Sequence, residues 1–308
     1  MTRFDVVGFG ALNVDMLLKV DRLAGAEEES FIEDYIEACG GSAANAIVGL
    51  ARLGCETGFI GKVANDREGK MQLVCFSMEG VDTNGIIHAQ QGKSGSVLGL
   101  VDRKGARSLY INSGVNDTIS PEEIKLDYAS RTRFLHLTSF VGEKSLQTQI
   151  KMLNALPSDV KVSLDPGAIY ARKGYSAIEP IIKRAYVLMP NSFELEQLTG
   201  ESDYCRGADF MIGRGVKVVA VKLGSQGCYV TDGRERLRID AFKVKVVDTT
   251  GAGDAFCAGF LYGLIQGKSL FESGRLGNFV ASRCVMQMGA RGGLPYSKDL
   301  KDLAAFFG

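Results

Sequence analysis

The turn Asp248-Thr249-Thr250-Gly251-Ala252-Gly253-Asp254 combines residue types that can handle a phosphate group. The apolar stretch Phe242 to Val247 before it predicts a strand, and the apolar stretch Ala255 to Ile265 after it predicts a helix. The turn would then lie at a helix N-terminus, where free backbone N–H groups and the helix dipole attract anions. Gly251 and Gly253 carry no Cβ, so a phosphate can approach the backbone closely.

A carboxylate in such an anion site needs a chemical reason, because Asp254 would repel a phosphate that the site only had to bind. Its presence fits a base that takes the proton from a hydroxyl while that hydroxyl attacks the phosphate. The alternative is a helix-capping aspartate after a glycine-rich loop. The pattern favours phosphoryl transfer, with Asp254 as the base and the N–H groups of Gly251, Ala252 and Gly253 as the anion hole.

This turn resembles the C-terminal signature of the PfkB, or ribokinase-like, family of carbohydrate and nucleoside kinases. A second family signature, Gly40-Gly41-Ser42-Ala43-Ala44-Asn45-Ala46 followed by Ala51-Arg52-Leu53-Gly54, lies near the N-terminus in the family's order. The resemblance extends from Gly8 to about Pro295. It implies a ribokinase-like α/β fold and transfer of a phosphoryl group from ATP, with Mg²⁺, to a sugar or nucleoside.

Asn13 and Asp15 follow the first predicted strand, and their side chains suit the neighbouring hydroxyls of a sugar. An Asx turn that caps the strand is the alternative. The family resemblance implies that both residues contact the substrate. It implies the same for Gly41 and Asn45, which lie in a glycine-rich helix start that could also be an ordinary cap.

Two substrate-side positions depart from the pattern of ribokinases. Those enzymes usually carry lysine where this chain has Ser42, and commonly an acidic residue where it has Thr138. The smaller residues predict a less charged, roomier pocket and favour another sugar, such as a ketohexose, over ribose. A nucleoside would need an apolar wall for its base, which Tyr110 and Phe140 could supply, although each could equally belong to the core.

The segment Val221 to Gly227 predicts a strand that ends in a glycine-rich turn. Such a turn allows a backbone to approach a nucleotide, and a lysine can meet a phosphate as a point charge, although an ordinary strand-to-strand turn is the alternative. The resemblance implies ATP contacts here and, more weakly, on a late helix. The predicted nucleotide-binding residues are Asn191, Lys222, Gly224, Ser225, Gly227 and Asn278.

The pair Asn191 and Glu194 follows the next predicted strand and resembles the family's Asn-x-x-Glu, which implies Mg²⁺ at Glu194. One carboxylate is enough for Mg²⁺, which keeps several waters, but the same pair also fits a helix capping box. Asp248 and the Thr250 carbonyl match positions that hold a monovalent cation in ribokinase-like members. A serine that often completes that site is missing near Gly292, so dependence on K⁺ is left open.

The elements that must position these residues follow from hydrophobic periodicity. Short apolar runs alternate with helical patterns after residue 120, which predicts βαβ units, a mostly parallel sheet and helices on both faces. Ligands of such sheets bind beyond the carboxyl ends of the strands. The predicted strands are Phe134 to Leu137, Val160 to Leu164, Val187 to Met189, Val216 to Lys222 and Val246 to Val247. The predicted helices are Ser145 to Ala155, Tyr175 to Arg184, Ser192 to Leu198 and Ala208 to Gly213.

We expect one kinase domain over residues 1–308, with two segments inserted in its α/β core. These segments, approximately 15–38 and 92–112, show alternation and turns with little helical period, which predicts antiparallel strands. The resemblance implies that they form a small β-sheet lid over the sugar site, through which a homodimer can form. Edge hairpins are the alternative that periodicity leaves open.

The composition narrows the partners. Lys+Arg and Asp+Glu each number 36 in 308 residues, so no net charge attracts nucleic acid or an anionic membrane. The sequence contains no run of about 18 apolar residues, which is the length that a membrane-spanning helix needs. Seven scattered cysteines without a Cys-x-x-Cys pair, and only two histidines, argue against a zinc site or a disulfide framework. We therefore expect a cytoplasmic protein whose ligands are small molecules.

The hypothesis from the sequence is an ATP-dependent, Mg²⁺-requiring sugar kinase that phosphorylates a primary hydroxyl of a monosaccharide. A nucleoside kinase of the same family is the alternative. A non-catalytic sugar or nucleotide sensor is a more remote one, because the base and the anion-hole glycines are both present.

Overall fold

A nine-stranded sheet and a four-stranded sheet organise this chain, whose computed structural model describes residues 3–103 and 106–300. The predicted domain 1–308 and lid segment 92–112 therefore include residues outside the description, at 1–2, 104–105 and 301–308. The strands are β1 (Phe4–Phe9), β2 (Asn13–Val20), β3 (Ile32–Gly40), β4 (Thr57–Ala64), β5 (Asp82–Ala89), β6 (Gly95–Val101), β7 (Arg107–Asn112), β8 (Thr132–Thr138), β9 (Lys161–Asp165), β10 (Ala185–Leu188), β11 (Val218–Lys222), β12 (Cys228–Thr231) and β13 (Arg236–Ile239). The helices are α1 (Ser42–Arg52), α2 (Arg67–Met78), α3 (Leu126–Ser130), α4 (Glu143–Ala155), α5 (Gly167–Lys173), α6 (Tyr175–Arg184), α7 (Ser192–Thr199), α8 (Tyr204–Gly213), α9 (Ala252–Ile265) and α10 (Leu270–Cys284).

The large sheet has the order β13-β12-β11-β10-β9-β8-β1-β4-β5. Its pairs from β11 through to β5 are parallel, and only β12 and β13 run antiparallel to their neighbours. The predicted mostly parallel sheet is thus confirmed. Because parallel strands share one carboxyl edge, the loops that follow β1, β8, β9, β10 and β11 all emerge on the same side of the molecule.

Helices cover both faces of the large sheet, as alternation along its strands shows. Val6 lies in the core formed with α1, α9 and α10, whereas its neighbour Val7 lies in the core formed with α4 and α6. Ala220 and Val221 divide between the same two cores on β11. Adjacent residues of a strand point to opposite faces, so strands buried on both faces appear in the sequence as continuous apolar runs.

Helix α9 can lie deep in the first core because its glycines let α10 approach closely. A Cβ on Gly259 would lie 2.4 Å from the Leu276 carbonyl oxygen, and one on Gly263 would lie 2.6 Å from Ser273 Oγ. A glycine inside a helix costs about 0.5–1 kcal/mol relative to alanine, and the close helix contact offsets this cost. The packing fixes the start of α9, where the phosphate-binding turn was predicted.

The predicted strands at 134–137, 160–164, 187–189 and 216–222 overlap β8 to β11, and the four predicted helices overlap α4, α6, α7 and α8. The predicted strand from Phe242 to Val247, including Val246 to Val247, is wrong. The chain has passed β13, the edge of the large sheet, so no neighbouring strand is available to pair with it. Val246 and Val247 are more than half exposed, and Val247 N–H donates instead to the Val285 carbonyl oxygen.

The small sheet, which we call the lid sheet, consists of β3, β2, β6 and β7 in that order. The two inserted segments therefore form one sheet, as predicted, but not a wholly antiparallel one: β2 and β6 pair in parallel. This follows from chain order, because β4, α2 and β5 intervene between the two segments. No helix in the described part of the chain is both long enough and apolar enough to pass through a membrane.

Candidate active site

Polar side chains gather at the carboxyl edge of the large sheet. Thr138, Asp165 and Lys222 are the last residues of β8, β9 and β11. Asn13 comes four residues after β1, and Asn191 three residues after β10. The parallel topology alone brings these five residues, which are far apart in sequence, to one edge.

The turn that was predicted to bind phosphate ends at the N-terminus of α9. Gly251 has φ +75°, and a Cβ there would lie 2.5 Å from the Cβ of Ala290, so only glycine fits. Ala252 N–H donates to the Thr249 carbonyl oxygen. The N–H groups of Gly253 and Asp254 have no hydrogen-bond partner among the described residues, as expected in the first turn of a helix. These two donors can meet an anion.

Asp254 is held by a side chain from α1. Asn45 Nδ2 donates to Asp254 Oδ2 over 2.8 Å. Burial raises the pKa of Asp254 to about 7, and Asp165 adds to the rise, whereas the Asn45 hydrogen bond and the charges of Lys222 and Arg291 oppose it. A carboxylate with this pKa is poised to accept or release a proton near neutral pH.

A buried ion pair lies beside this turn. Lys222 Nζ donates to Asp165 Oδ2 over 2.6 Å, and the Cys257 thiol donates to the same oxygen over 3.4 Å. Burial opposes both charges, yet Lys222 keeps the pKa of Asp165 below its usual range and Asp165 raises that of Lys222. A Cβ on Gly253 would lie 3.4 Å from Nζ, so the ammonium group lies against the first turn of α9.

Asp15 lies on β2 of the lid sheet, close to the start of α1. A Cβ on Gly40 would lie 2.2 Å from Asp15 Oδ2, and one on Gly41, whose φ is +102°, would lie 2.2 Å from the Ala11 carbonyl oxygen. Burial raises the pKa of Asp15 to about 6, against the opposing charge of Arg291. Asp15 and Arg291 line one cavity of about 340 Å³ between the lid sheet, α2 and the turn after α10.

A second, smaller cavity of about 170 Å³ lies beside the first predicted substrate residues. Asn13, Ser42 and Thr138 all line it, together with Asn116 and with Ile111 of the lid sheet. Asn116 Nδ2 donates to Asn13 Oδ1 over 3.0 Å, and its Oδ1 accepts from the Leu12 N–H. The Asn13 oxygen is therefore engaged by the protein, which leaves its NH₂ group to face the cavity.

The largest of these cavities, about 770 Å³, lies on the other side of the α9 N-terminus. The β11–β12 turn, the loop after β13 and helices α9 and α10 enclose it. A Cβ on Gly227 would lie 2.0 Å from the Ile239 carbonyl oxygen, which fixes the path of this turn. All but Asn191 of the predicted nucleotide-binding residues line the cavity: Lys222, Gly224, Ser225, Gly227 and Asn278.

Asn278 has a structural role as well, because its Nδ2 donates to the carbonyl oxygens of Ile239 and Asp240. Asn191 and Glu194 form a complete capping box at the start of α7: Asn191 Oδ1 accepts from the Glu194 N–H, and Glu194 Oε2 accepts from the Asn191 N–H. Burial raises the pKa of Glu194. Glu194 Oε1 makes no hydrogen bond within the ranges that the structure covers.

Asp248 ties together the turn before α9 and the turn after α10. Its Oδ1 accepts from the N–H and the hydroxyl of Thr250, and its Oδ2 accepts from the Gly289 N–H over 2.8 Å. The Thr250 carbonyl oxygen accepts from the Cys284 thiol over 3.6 Å. Both residues of the predicted monovalent-cation site thus lie together, although protein donors already occupy part of their capacity.

Three site residues were missed at the sequence level. Asp165 could have been found, because it directly follows the predicted strand Val160 to Leu164 and so lies at the same edge of the sheet as Lys222. Asn116 and Arg291 belong to no motif and to no periodic segment of the sequence. Asn116 follows β7 of the lid sheet, and Arg291 follows the turn at Gly289. Arg291 lines the cavity beside Asp15, whereas Ser42 and Thr138 line the smaller one, so the less charged pocket expected at those two residues stays a prediction.

The two candidates for an aromatic wall are both misplaced for that role. Phe140 is fully buried, with its ring 5.5 Å from that of Phe9. Tyr110 pairs with Leu98, whereas Asp15 pairs with Val97, so Tyr110 lies on the opposite face of the lid sheet from Asp15. Neither can stack on a base bound beside Asp15.

Comparison with known proteins agrees with this arrangement. The family model described as pfkB family carbohydrate kinase matches residues 3–296. A protein of Archaeoglobus fulgidus described as an uncharacterized sugar kinase is 47% identical over 255 residues, which cover 82% of this chain and 100% of that protein. An ATP-dependent ribose-1-phosphate kinase of Halopiger xanaduensis is 34% identical, with 83% of each chain covered.

A solved structure shows the same fold. Arabidopsis thaliana ribokinase, complexed with ribose and ATP, superposes with a TM-score of 0.87 at 26% identity. The match covers 98% of this chain and 99% of that one. The ribokinase-like fold expected from the sequence, with its small separate sheet, is thereby confirmed.

Proposed function

We propose, from the premise that this chain belongs to the PfkB family of carbohydrate kinases, that it transfers the γ-phosphate of ATP to a primary hydroxyl of a monosaccharide. The position of Asp254 carries the proposal. Its neighbours Ala252 and Gly253 line the large cavity. Its partner Asn45 is bonded on the other side to Arg291, which lines the cavity beside Asp15. Asp254 therefore lies between a space of nucleotide size and the cavities under the lid sheet.

Asp254 would act as the base. The sugar O–H bond breaks as the oxygen attacks phosphorus, the proton passes to Asp254, and the bond to the leaving ADP breaks. The raised pKa of about 7 makes this carboxylate a stronger base than an ordinary aspartate while leaving a large fraction ionised at neutral pH.

The first turn of α9 and Lys222 would stabilise charge on the transferring phosphoryl group. The N–H groups of Gly253 and Asp254 are unpartnered in the described structure and point from a helix N-terminus. Of the three predicted anion-hole donors, Ala252 N–H is engaged with Thr249, so Asp254 N–H takes its place in our proposal. The ammonium group of Lys222, kept charged by Asp165, lies beside this turn.

The family uses ATP with a divalent metal, and we assign Mg²⁺ to Glu194. The residues fit: Oε2 is held by the capping box, Oε1 is free of hydrogen bonds in the described structure, and the group is buried. A bound Mg²⁺ would neutralise charge on the phosphates.

A monovalent cation would be held by Asp248 and the Thr250 carbonyl oxygen. These groups belong to the turn that presents the N–H donors of α9, so a cation there would stabilise the turn. The fit is partial, because three protein donors already point at Asp248. Activity measured in K⁺ and in tetramethylammonium at equal ionic strength tests this assignment.

Asn13, Asp15, Gly41, Ser42, Asn45 and Thr138 would surround the sugar, and the small Ser42 and Thr138 still favour a ketohexose or related sugar over ribose. The positions of Phe140 and Tyr110 favour a sugar over a nucleoside, because neither of these two rings is placed to stack on a base beside Asp15. ATP would occupy the cavity lined by Gly224, Ser225, Gly227 and Asn278, with Asn191 at its phosphate end.

We also propose a homodimer formed through the lid sheet. Tyr35, Leu98 and Tyr110 lie exposed on the face that points away from Asp15. Exposed apolar residues grouped on one face of a sheet mark an interaction surface.

A cytoplasmic location stays a prediction. All seven cysteines carry free thiols.

The deciding experiment is a coupled ADP-release assay with a panel of sugars and nucleosides, run on the wild type and on Asp254→Asn. We expect at least one sugar to be phosphorylated, and the variant to lose about 10²–10⁴-fold in turnover while it still binds nucleotide. A clear preference in kcat/KM for adenosine or inosine would replace the sugar with a nucleoside. Near-normal turnover of the variant would show that Asp254 is not the base.

A further inference from the structure

A chain of two short hydrogen bonds connects a half-buried arginine to Asp254. Arg291 Nε donates to Asn45 Oδ1 over 2.8 Å, and Asn45 Nδ2 donates to Asp254 Oδ2 over 2.8 Å. The three residues come from the turn after α10, from α1 and from α9. Nothing in the motifs that mark Asp254 and Asn45 requires an arginine at position 291.

The chemistry of arginine gives this chain a direction. A guanidinium group only donates hydrogen bonds, so Asn45 must present its oxygen to Arg291 and therefore its NH₂ group to Asp254. If the amide were rotated by half a turn, its NH₂ would face the donating Nε and its oxygen would face the carboxylate. Both contacts would then be repulsive, so Arg291 selects one of the two amide orientations.

Arg291 is itself held in place. Arg52 donates to its carbonyl oxygen over 2.7 Å, and Arg291 Nη2 reaches the Gly40 carbonyl oxygen at 3.4 Å. Within the described ranges no carboxylate lies within ion-pair distance of its guanidinium group, and Glu79 nearby is paired with Arg52. The positive charge of Arg291 is therefore not cancelled by a direct partner.

We propose that Arg291 is a positioning residue for phosphoryl transfer: through Asn45 it orients Asp254, and its positive charge stabilises the negative charge of that carboxylate. The inference deepens the proposed function and rests on the role of Asp254 as the base. Arg291 is expected to touch neither the transferring phosphoryl group nor the attacking oxygen.

The groups around both residues set the direction of the expected effect. Asp254 faces Asp165 and Lys222 from the sheet edge, Arg291, and the thiols of Cys257 and Cys284. Arg291 faces Asp15, Glu79 and the thiols of Cys39 and Cys75. Burial raises the pKa of Asp254, while Asn45, Lys222 and Arg291 lower it. Loss of the Arg291 charge should therefore raise the pKa of Asp254 further.

Three substitutions separate charge from orientation. R291K keeps the charge, R291Q keeps a hydrogen-bond donor but loses the charge, and R291M loses both. For each, kcat/KM for the best sugar of the panel is measured against pH at saturating ATP. The pKa of the Asp254 carboxyl group is measured directly by ¹³C NMR in the unliganded protein.

In R291Q we expect the acidic limb of kcat/KM to move up by about one pH unit, which corresponds to roughly a five- to tenfold loss at neutral pH that is regained in alkali. R291K should leave the midpoint of the acidic limb within a few tenths of a pH unit of the wild type, because lysine retains the positive charge. R291M should also lose kcat on the alkaline plateau, because Asn45 can then rotate. The KM for ATP should stay unchanged in all three.

R52Q is the control, because it removes a contact to the turn around residue 291 while the chain keeps the Arg291 side chain, with its charge and its donor to Asn45. We expect it to lower thermal stability without moving the acidic limb. An unmoved limb and an unmoved Asp254 pKa in R291Q would overturn the inference, and so would an equal shift in R52Q. If D254N is inactive while R291Q behaves as the wild type, only the role of Arg291 is contradicted. If D254N is active, the role of Asp254 as the base is contradicted as well.

Discussion

Single residues carry the pH behaviour of this protein. Asp254 combines a half-buried position with a hydrogen bond to Asn45, and Asp15 is half-buried close to Arg291. In each case burial opposes the charged form, and neighbouring donors or cations reduce that opposition. The protonation of these two carboxylates is therefore linked to folding as well as to chemistry.

Replacing Asp254 should therefore change stability in a pH-dependent way. The folded pKa of about 7 lies above the ordinary aspartate value of 3.8, so this group stabilises the folded state below pH 3.8 and loses that contribution as the pH rises through 7. Asp254→Asn stays neutral, and its melting temperature should exceed that of the wild type at about pH 8 by more than at about pH 5.

Thermal unfolding at the two pH values measures this difference. Asp159→Asn, at an exposed aspartate paired with Arg3, serves as the control and should show the same small effect at both. A higher melting temperature for the wild type than for Asp254→Asn at about pH 8 would mean that the folded structure does not destabilise ionised Asp254.

At the scale of elements, the starts of helices combine a structural and a chemical role. Helix α7 begins with the capping box of Asn191 and Glu194, and α10 begins with an equivalent box of Ser269 and Glu272. Only the first lies at the carboxyl edge of the large sheet. The two boxes therefore make it possible to test capping and metal binding separately.

Glu194→Gln should raise the Mg²⁺ concentration needed for half-maximal activity by about tenfold or more, because glutamine preserves the capping box but removes the carboxylate charge. Glu272→Gln makes the same change at the other box and should leave this concentration unaltered. The measurement is the initial rate against free Mg²⁺ at constant ATP. Equal behaviour of the two variants would assign Glu194 to capping alone.

The loop from β3 into α1 depends on glycine for its geometry. Gly41→Ala should strongly destabilise the fold, because its φ is +102° and the new Cβ would lie 2.2 Å from the Ala11 carbonyl oxygen. Gly80→Ala is a control with φ +70° and no atom within 4 Å, so it should cost only about 1–2 kcal/mol for the backbone conformation. Denaturant unfolding compares them, and equal losses would show that the close contact relaxes.

At the scale of the molecule, the lid sheet leaves apolar groups on both of its faces. The face with Asp15 covers the cavity that we assign to the sugar, whereas Tyr35, Leu98 and Tyr110 point away from it. In a monomer this outer face would be exposed to water, at a cost of about 25 cal/mol for each Å² of apolar surface. A second copy could cover it.

Tyr110→Asp should therefore weaken or abolish the dimer, because a charge would be buried at the centre of the interface. Phe271→Asp, at a similarly exposed aromatic residue on α10, is the control and should leave the dimer intact. Light scattering across a concentration series measures the mass. A monomeric wild type at all concentrations would contradict the proposed dimer.

The sequence by itself determined those features that depend on local chemistry. Alternating apolar runs and helical patterns specified a parallel sheet, because strands buried on both faces must be apolar throughout. The glycine turn before an apolar helix predicted an anion site with Asp254 at its mouth, because a helix start leaves its N–H groups free; the structure places the start of α9 there. The family signatures placed the same residues in a kinase.

Only the tertiary structure decided what depends on neighbours distant in the chain. Phe242 to Val247 looks like a strand, but the sheet ends at β13, so the segment borders the large cavity instead. Asn116 acquires its role at Asn13, and Arg291 at Asn45, through contacts across 103 and 246 positions. No local pattern encodes such contacts, because they arise only when separate elements meet at the carboxyl edge of the sheet.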